Sequence, residues 1–377
     1  MGRTPSIEQD VGELLWVGFE GTTVPAELRA RIAAGLVGGV VLFARNVPAR
    51  GDQTDVPALV DLIADLHAAA PGDSPLLVSI DQEGGRVQRV KAPGTVWPPM
   101  LSFEGFRDPR EAVPLAFDVG KAVGAELAVL GIDVDFAPVL DVHTNAANPI
   151  IGDRAFATDP ARAADRALAF ARGLAASGVL ACGKHFPGHG DTATDSHLEL
   201  PRVDHDLARL RAVELAPFAA AARARLPMIM TAHVVFAAVD RDRPATLSLE
   251  VIEGVLRGEL GYAGVVISDD LDMQAIRSHY GAGEAAVAAI AAGCDVLLLC
   301  RDPDAQRDVF DTLVEAAAAD EALRGRIAES AARVRGLAQL RAGADTPYRP
   351  GSEAAGELLG CNAHRDLAAR LAEADGG

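Results

Sequence analysis

Short apolar runs alternate with amphipathic segments along most of the chain. Eight runs stand out: LWVGF at 15–19, GVVLF at 39–43, LLVSI at 76–80, VDFAPV at 134–139, VLAC at 179–182, MIM at 228–230, VVI at 265–267 and VLLL at 296–299. Each is too short for a helix and apolar at consecutive positions, which is the pattern of a strand buried on both faces. Between most of them lie segments of helical period, such as PALVDLIADL at 57–66 and the stretch 162–175. Strand–helix alternation implies a parallel sheet. Eight units over roughly 300 residues fit a single TIM-type (β/α)8 barrel, with room for irregularity in its first strands. A doubly wound open sheet is the rival. No G-x-G-x-x-G follows the first run, which weakens it.

After the last run, 302–342 reads as two helices. A loop with Pro347 and Pro350 follows, then a short amphipathic helix over about 363–374. The expected division is therefore a catalytic barrel over 1–342 and a C-terminal loop and helix over 343–377 packing on it, with no second domain.

Several runs end in polar residues: Asp81-Gln82-Glu83, Asp141, Lys184-His185, His233 and Asp269-Asp270. In a (β/α)8 barrel the C-terminal strand ends face one shared pocket. The fullest of these ends is KHFPGHGDTATDSH at 184–197. His185 and His189 are four apart, a metal spacing on a helix, but Pro187, Gly188 and Gly190 oppose a helix here. No metal is expected, and His189 reads as a structural histidine in a tight turn. Lys184 and His185 follow the strand and should point into the pocket as donors to a polar ligand. Asp195 stands two residues before His197, close enough to fix its tautomer and raise its basicity, which makes His197 a candidate proton carrier. A surface Asp beside a surface His is the plainer alternative.

The segment GVVISDDL at 264–271 offers a carboxylate at a strand end as a nucleophile. Neighbours on an extended chain point to opposite sides. Asp269 is assigned to the pocket, and Asp270 to capping a helix that begins near Leu271. The segment DQEGGRVQR at 81–89 sets Asp81 to grip two hydroxyls and Arg89 to donate to a hydroxyl or carbonyl. An internal Asp–Arg pair ordering the loop is compatible with both roles. Arg154, in GDRAF at 152–156, supplies another guanidinium.

The chain has 377 residues, 49% of them hydrophobic, so a large core can form and global disorder is excluded. Its net charge of −18 argues against nucleic acid or an anionic membrane as the main partner. The N-terminal stretch lacks the pattern of a secretory signal, and no run reaches the length of a membrane span. Cys182, Cys294, Cys300 and Cys361 form no C-x-x-C pair. A cytoplasmic protein, monomeric or weakly dimeric, is expected. The pocket groups suit a polyhydroxylated ligand and include no Ser nucleophile elbow or nucleotide fingerprint. Glycosyl transfer to water is the reaction they fit best.

With these residues in view, the chain resembles family 3 glycoside hydrolases, and within them the β-N-acetylglucosaminidase (NagZ-type) branch. DQEGGRVQR at 81–89, KHFPGHGDTATDSH at 184–197 and VVISDDLDM at 265–273 carry the resemblance, which runs from about residue 11 to 340. It implies a retaining, exo-acting enzyme without cofactor that removes terminal GlcNAc from cell-wall-derived or related glycans. Asp269 would be the nucleophile, His197 the acid/base with Asp195 as its partner. Asp81, Arg89, Arg154, Lys184 and His185 would bind the terminal sugar. A GlcNAc phosphorylase or a broad β-glycosidase on the same scaffold are alternatives, as is a non-catalytic sugar-binding barrel.

Overall fold

Each apolar run lies where helices cover it on one side and the barrel interior on the other, so polar alternation would be costly in it. In the computed structural model, which describes residues 5–72, 76–192 and 200–374, the runs form β1 (Leu15–Val17), β2 (Gly39–Leu42), β3 (Leu77–Ile80), β4 (Val134–Asp135), β5 (Leu180–Phe186), β6 (Met228–Thr231), β7 (Val265–Asp270) and β8 (Val296–Leu299). All pair in parallel and in chain order. β1 returns to β8, with Leu15 opposite Leu297 and Val17 opposite Leu299, so the barrel closes. Closure leaves no free edge, which removes the open-sheet rival.

Irregularity falls elsewhere than expected. Pairing runs unbroken from β8 through β1 to β5, and register shifts instead between β5 and β6 and between β7 and β8. Those shifts sit at the ends that carry chemistry, where a bulge re-aims side chains. Inside the barrel, Trp16 stacks on Phe136 at 6.2 Å between ring centroids, beside Val41, Leu180, Met228 and Ile267. Gly39 makes room for that indole: a Cβ there would lie 2.4 Å from it.

Three long helices begin with Asp-Pro. Asp108, Asp159 and Asp302 accept a backbone N–H from the first turns of Pro109–Leu130, Pro160–Ala176 and Pro303–Ala319. The carboxylate satisfies an orphan donor, and proline fits the first turn, where it gives up no hydrogen bond. Helix Glu321–Ala342 crosses the N-terminal end of the barrel. Val334, Leu337 and Ala338 join the barrel interior, while Arg326 and Arg333 hold Asp295, just before β8, at 2.8 and 3.0 Å. That end is stoppered, and the opposite mouth is left for ligands. Beyond 342 two helices follow, Ser352–Leu358, absent from the sequence expectation, and Asn362–Glu373. Both pack on Pro109–Leu130.

Candidate active site

The segment after β3 folds back as a small hairpin, Gln82–Gly84 against Val87–Gln88. Gln82 fastens it: its Oε1 accepts the N–H groups of Arg89 and Val90 at 2.9 and 3.1 Å, and its Nε2 donates to Val90 O. The fold-back sets Arg89 Nη2 3.1 Å from Asp81. Two residues along, Glu83 accepts a two-pronged bond from Arg154, 2.8 and 2.7 Å. Arg154 arrives on the turn Gly152–Arg154, whose entry is shaped by Asn148 Oδ1 accepting the N–H groups of Ile150 and Ile151.

From β5, Lys184 reaches between the two acids, 2.7 Å from Asp81 and 2.6 Å from Glu83. His185 places Nδ1 2.7 Å from Asp141, and its Nε2 lies 3.4 Å from Arg154. Asp141 also accepts the backbone N–H groups of His185 and His189. β5 is braced here against the chain beyond β4, since Leu140 N–H donates to Lys184 O and Lys184 N–H to Pro138 O.

These groups decide one another's charge. Burial alone would raise Asp81 and Glu83, but Lys184 and Arg89 hold Asp81 far below the usual carboxylate range, and Arg154 and Lys184 hold Glu83 at about 2. Burial would discharge Lys184 and Arg154, and the same carboxylates raise both instead. The cluster is therefore ionised and oriented before any ligand arrives, and spare lone pairs and N–H groups suit hydroxyl and amide recognition.

β7 delivers the other wall. In an eight-stranded barrel β3 and β7 are diametrically opposed, so Asp269 faces the Asp81 cluster across the mouth. Its Oδ1 accepts Asp270 N–H at 2.8 Å. The assignment of Asp270 as a helix cap is corrected. The helix starts only at Gln274 with Met273 before it, and Asp270 Oδ1 accepts Asp272 N–H and Cys300 N–H, tying β7 to β8. Burial and the neighbouring Asp272 push its pKa up to about 6.

Between the walls lies a cavity of about 200 Å³, lined by Asp81, Glu83, Arg154, Lys184, His185 and Asp269, among others. Val41, Phe136, Met230 and Leu298 form its apolar floor. Five expected ligand-binding residues and Asp269 thus meet in one place. His189 also lines the cavity, while its burial and bonds fit the structural histidine expected there. Its Nδ1 lies 2.7 Å from Thr192 Oγ1, and burial lowers its pKa to about 4. Asp195 and His197 lie outside the described residues. Glu83 and Asp141 also belong to this cluster; both were named among the polar strand ends expected to face the pocket, but neither was given a role there.

A closed barrel with such a cavity at the C-terminal mouth defines a (β/α)8 enzyme acting on a small polar ligand. The chain belongs to glycosyl hydrolase family 3: the "Glycosyl hydrolase family 3 N terminal domain" matches residues 6–337. It is a glycoside hydrolase. A β-hexosaminidase of Alkalilimnicola ehrlichii is 44% identical over 293 residues, covering 77% of this chain and 81% of that protein. Among solved structures, a family 3 β-N-acetylglucosaminidase from Paenibacillus sp. superposes with a TM-score of 0.89 at 39% identity, over 99% of this chain and 69% of that one. NagZ from Neisseria gonorrhoeae in complex with N-trifluoroacetyl-D-glucosamine gives 0.76 at 31%, over 96% and 98%.

Proposed function

We propose that the protein is a retaining, exo-acting β-N-acetylglucosaminidase whose covalent glycosyl-enzyme forms on Asp269. The hydrolase class and the GlcNAc specificity follow from the family and from relatives of that activity. The observation carrying the rest is the small cavity, with Asp269 on one wall and the ion-paired cluster on the other. About 200 Å³ suits one terminal sugar rather than a glycan passing through.

In the first step an Asp269 oxygen bonds to the anomeric carbon while the glycosidic C–O bond breaks, and the departing oxygen takes a proton from His197. In the second, neutral His197 takes a proton from water, the hydroxide oxygen bonds to the anomeric carbon, and the Asp269 ester bond breaks. Two inversions return the starting configuration. Asp195 holds the imidazole and stabilises its charged form. The roles of these two rest on the 184–197 motif. Because His197 must hold and then release a proton, activity should peak at mildly acidic to neutral pH, around the ordinary histidine value of about 6.5.

Hydrolysis of nitrophenyl-β-GlcNAc, followed by NMR of the first product anomer and repeated with phosphate, tests this reading. The β-anomer of free GlcNAc should appear first, and Asp269→Ala should remove almost all turnover. An α-anomer, GlcNAc-1-phosphate, or equal turnover of nitrophenyl-glucoside would overturn it. The substrate in the cell is taken to be a cell-wall-derived glycan in peptidoglycan recycling, and the location cytoplasmic. Four free cysteines, three of them buried, support a reducing compartment. No helix among the described residues is long and apolar enough to cross a membrane.

A further inference from the structure

Among the polar strand ends read from the sequence, His233 is left without a role by the sugar cluster and the nucleophile. It follows β6, is fully buried, and is not one of the described residues lining the catalytic cavity. Its ring lies between two partners. Nε2 is 2.9 Å from Asp270 O, and Nδ1 is 2.9 Å from Thr246 Oγ1. A carbonyl can only accept, so Nε2 carries a hydrogen and donates it to Asp270. Thr246 sits on the turn Ala245–Leu247. Its hydroxyl also lies 3.1 Å from Ala232 O and 2.8 Å from Thr231 Oγ1. Both threonines are buried, so the ring has a seat that solvent does not loosen.

Asp270 is where this seat matters. The paired register of β6 and β7 ends at Met230 and Ile267, short of Asp269 and Asp270. On the other side of β7 the register shifts between Ile267 and Asp270, and side chains stand in for backbone. Ser268 Oγ accepts Leu298 N–H at 3.0 Å, and Asp270 Oδ1 accepts Cys300 N–H at 3.1 Å. Towards β6 the His233 ring does the same by holding Asp270 O. Asp270 N–H in turn donates to Asp269 Oδ1 at 2.8 Å. Asp270 is thus gripped at its carbonyl and its carboxylate, and its N–H passes that orientation to the neighbouring carboxylate. If the grip on the carbonyl is lost, the backbone can turn about Asp270, and the Asp269 carboxylate turns with it.

We propose that His233 is a positioning residue for the nucleophile: its ring fixes the Asp270 backbone, and through it the aim of the Asp269 carboxylate at the anomeric carbon. The inference rests on Asp269 being that nucleophile. The sugar is held from the opposite wall, by Asp81, Arg154 and Lys184 among others, so a lost aim slows bond formation and leaves binding nearly as it was.

The test is the rate at which 5-fluoro-GlcNAc fluoride labels the protein. An Asp269 oxygen bonds to the anomeric carbon as fluoride leaves, and fluoride needs no proton from His197. The ring fluorine slows loss of the ester, so the labelling rate reads the nucleophilic step alone. His233→Leu fills the space of the ring without a donor. It should lower the limiting rate about tenfold and move the half-saturating concentration less than about twofold. His233→Gln offers a side-chain N–H to Asp270 O and should recover most of the rate. Thr246→Val removes the hydroxyl at the other ring nitrogen and should lower the rate about threefold, which decides the question if the leucine variant does not fold. Wild-type labelling in the leucine variant, or in Thr246→Val where that variant decides, would overturn the positioning role. So would a glutamine variant no faster than the leucine one, or a rate and half-saturating concentration that worsen together. Wild type that cleaves nitrophenyl-GlcNAc yet carries the label on a residue other than Asp269 would instead overturn the nucleophile assignment.

Discussion

Asp141 holds three donors at once: the His185 ring, His185 N–H and His189 N–H, at 2.7, 3.2 and 2.6 Å. Burial would raise it, but His185 and these bonds lower it. Asp141→Ala leaves buried donors without an acceptor, which should cost about 3–5 kcal/mol and raise KM as His185 loses its orientation. Chemical denaturation and steady-state kinetics check both, and an unchanged KM would deny the positioning role. Asp270 has the opposite sign. Its folded pKa of about 6 exceeds the ordinary 3.8, so the folded state binds the extra proton. The stability this brings is complete below pH 4 and lost as pH rises through 6. Asp270→Asn keeps an acceptor for Asp272 and Cys300. It should stabilise the protein above pH 6 by at most about 3 kcal/mol and not at pH 4. Thermal midpoints across pH test it, and a gain of equal size at pH 4 would refute it. Asp81, Lys184 and Asp269 were legible because each ends an apolar run. Glu83 shares that strand end, but its role was not legible, because its partner Arg154 lies 71 residues away, on a turn beyond the neighbouring strand β4.

At the scale of elements, the strands were legible for a physical reason. A strand buried on both faces has to be apolar throughout, and few loops here imitate that. The irregularities were not legible, since register depends on how β5 to β8 fit one another. The loop after β5 shows what local sequence hides. Gly190 reads in the sequence only as opposing a helix, yet the fold uses it for close approach: a Cβ there would lie 1.8 Å from Val142 O, in the chain after β4. Nothing in a backbone carbonyl can yield cheaply. Gly190→Ala should push the loop off its seat, displacing His189 and its bond to Asp141. A loss of activity on the order of tenfold or more is expected, with only a modest fall in thermal midpoint. Near-normal kcat/KM in the alanine variant would show that the loop can be shifted without consequence.

At the scale of the whole molecule, buried hydrogen bonds link the C-terminal segment to the chain that braces the hairpin after β3. Glu126, on Pro109–Leu130, accepts from Gly360 N–H at 2.9 Å, and its Oε1 lies 2.8 Å from His364 Nδ1. The same carboxylate takes Thr95 N–H and the Thr95 hydroxyl. Two residues on, Trp97 exchanges bonds with the Gln88 side chain and accepts Gly85 N–H, which fixes the hairpin carrying Asp81 and Arg89. The path from tail to hairpin is contiguous, but contiguity is not coupling until a perturbation at one end is felt at the other. Glu126→Ala removes the shared acceptor and strands several buried donors, at about 1–3 kcal/mol each. If the tail supports the site, KM for nitrophenyl-GlcNAc should rise about two- to fivefold. The loss of kcat should be smaller, because Asp269 is held by β7 on the far wall, and protease should cut earlier within 343–361. A lower melting point and faster proteolysis with KM unmoved would make the tail a brace for the helical shell alone. A KM that rises and then recovers in Glu126→Gln, which keeps one carbonyl acceptor for these donors, would make it part of how the barrel holds its sugar.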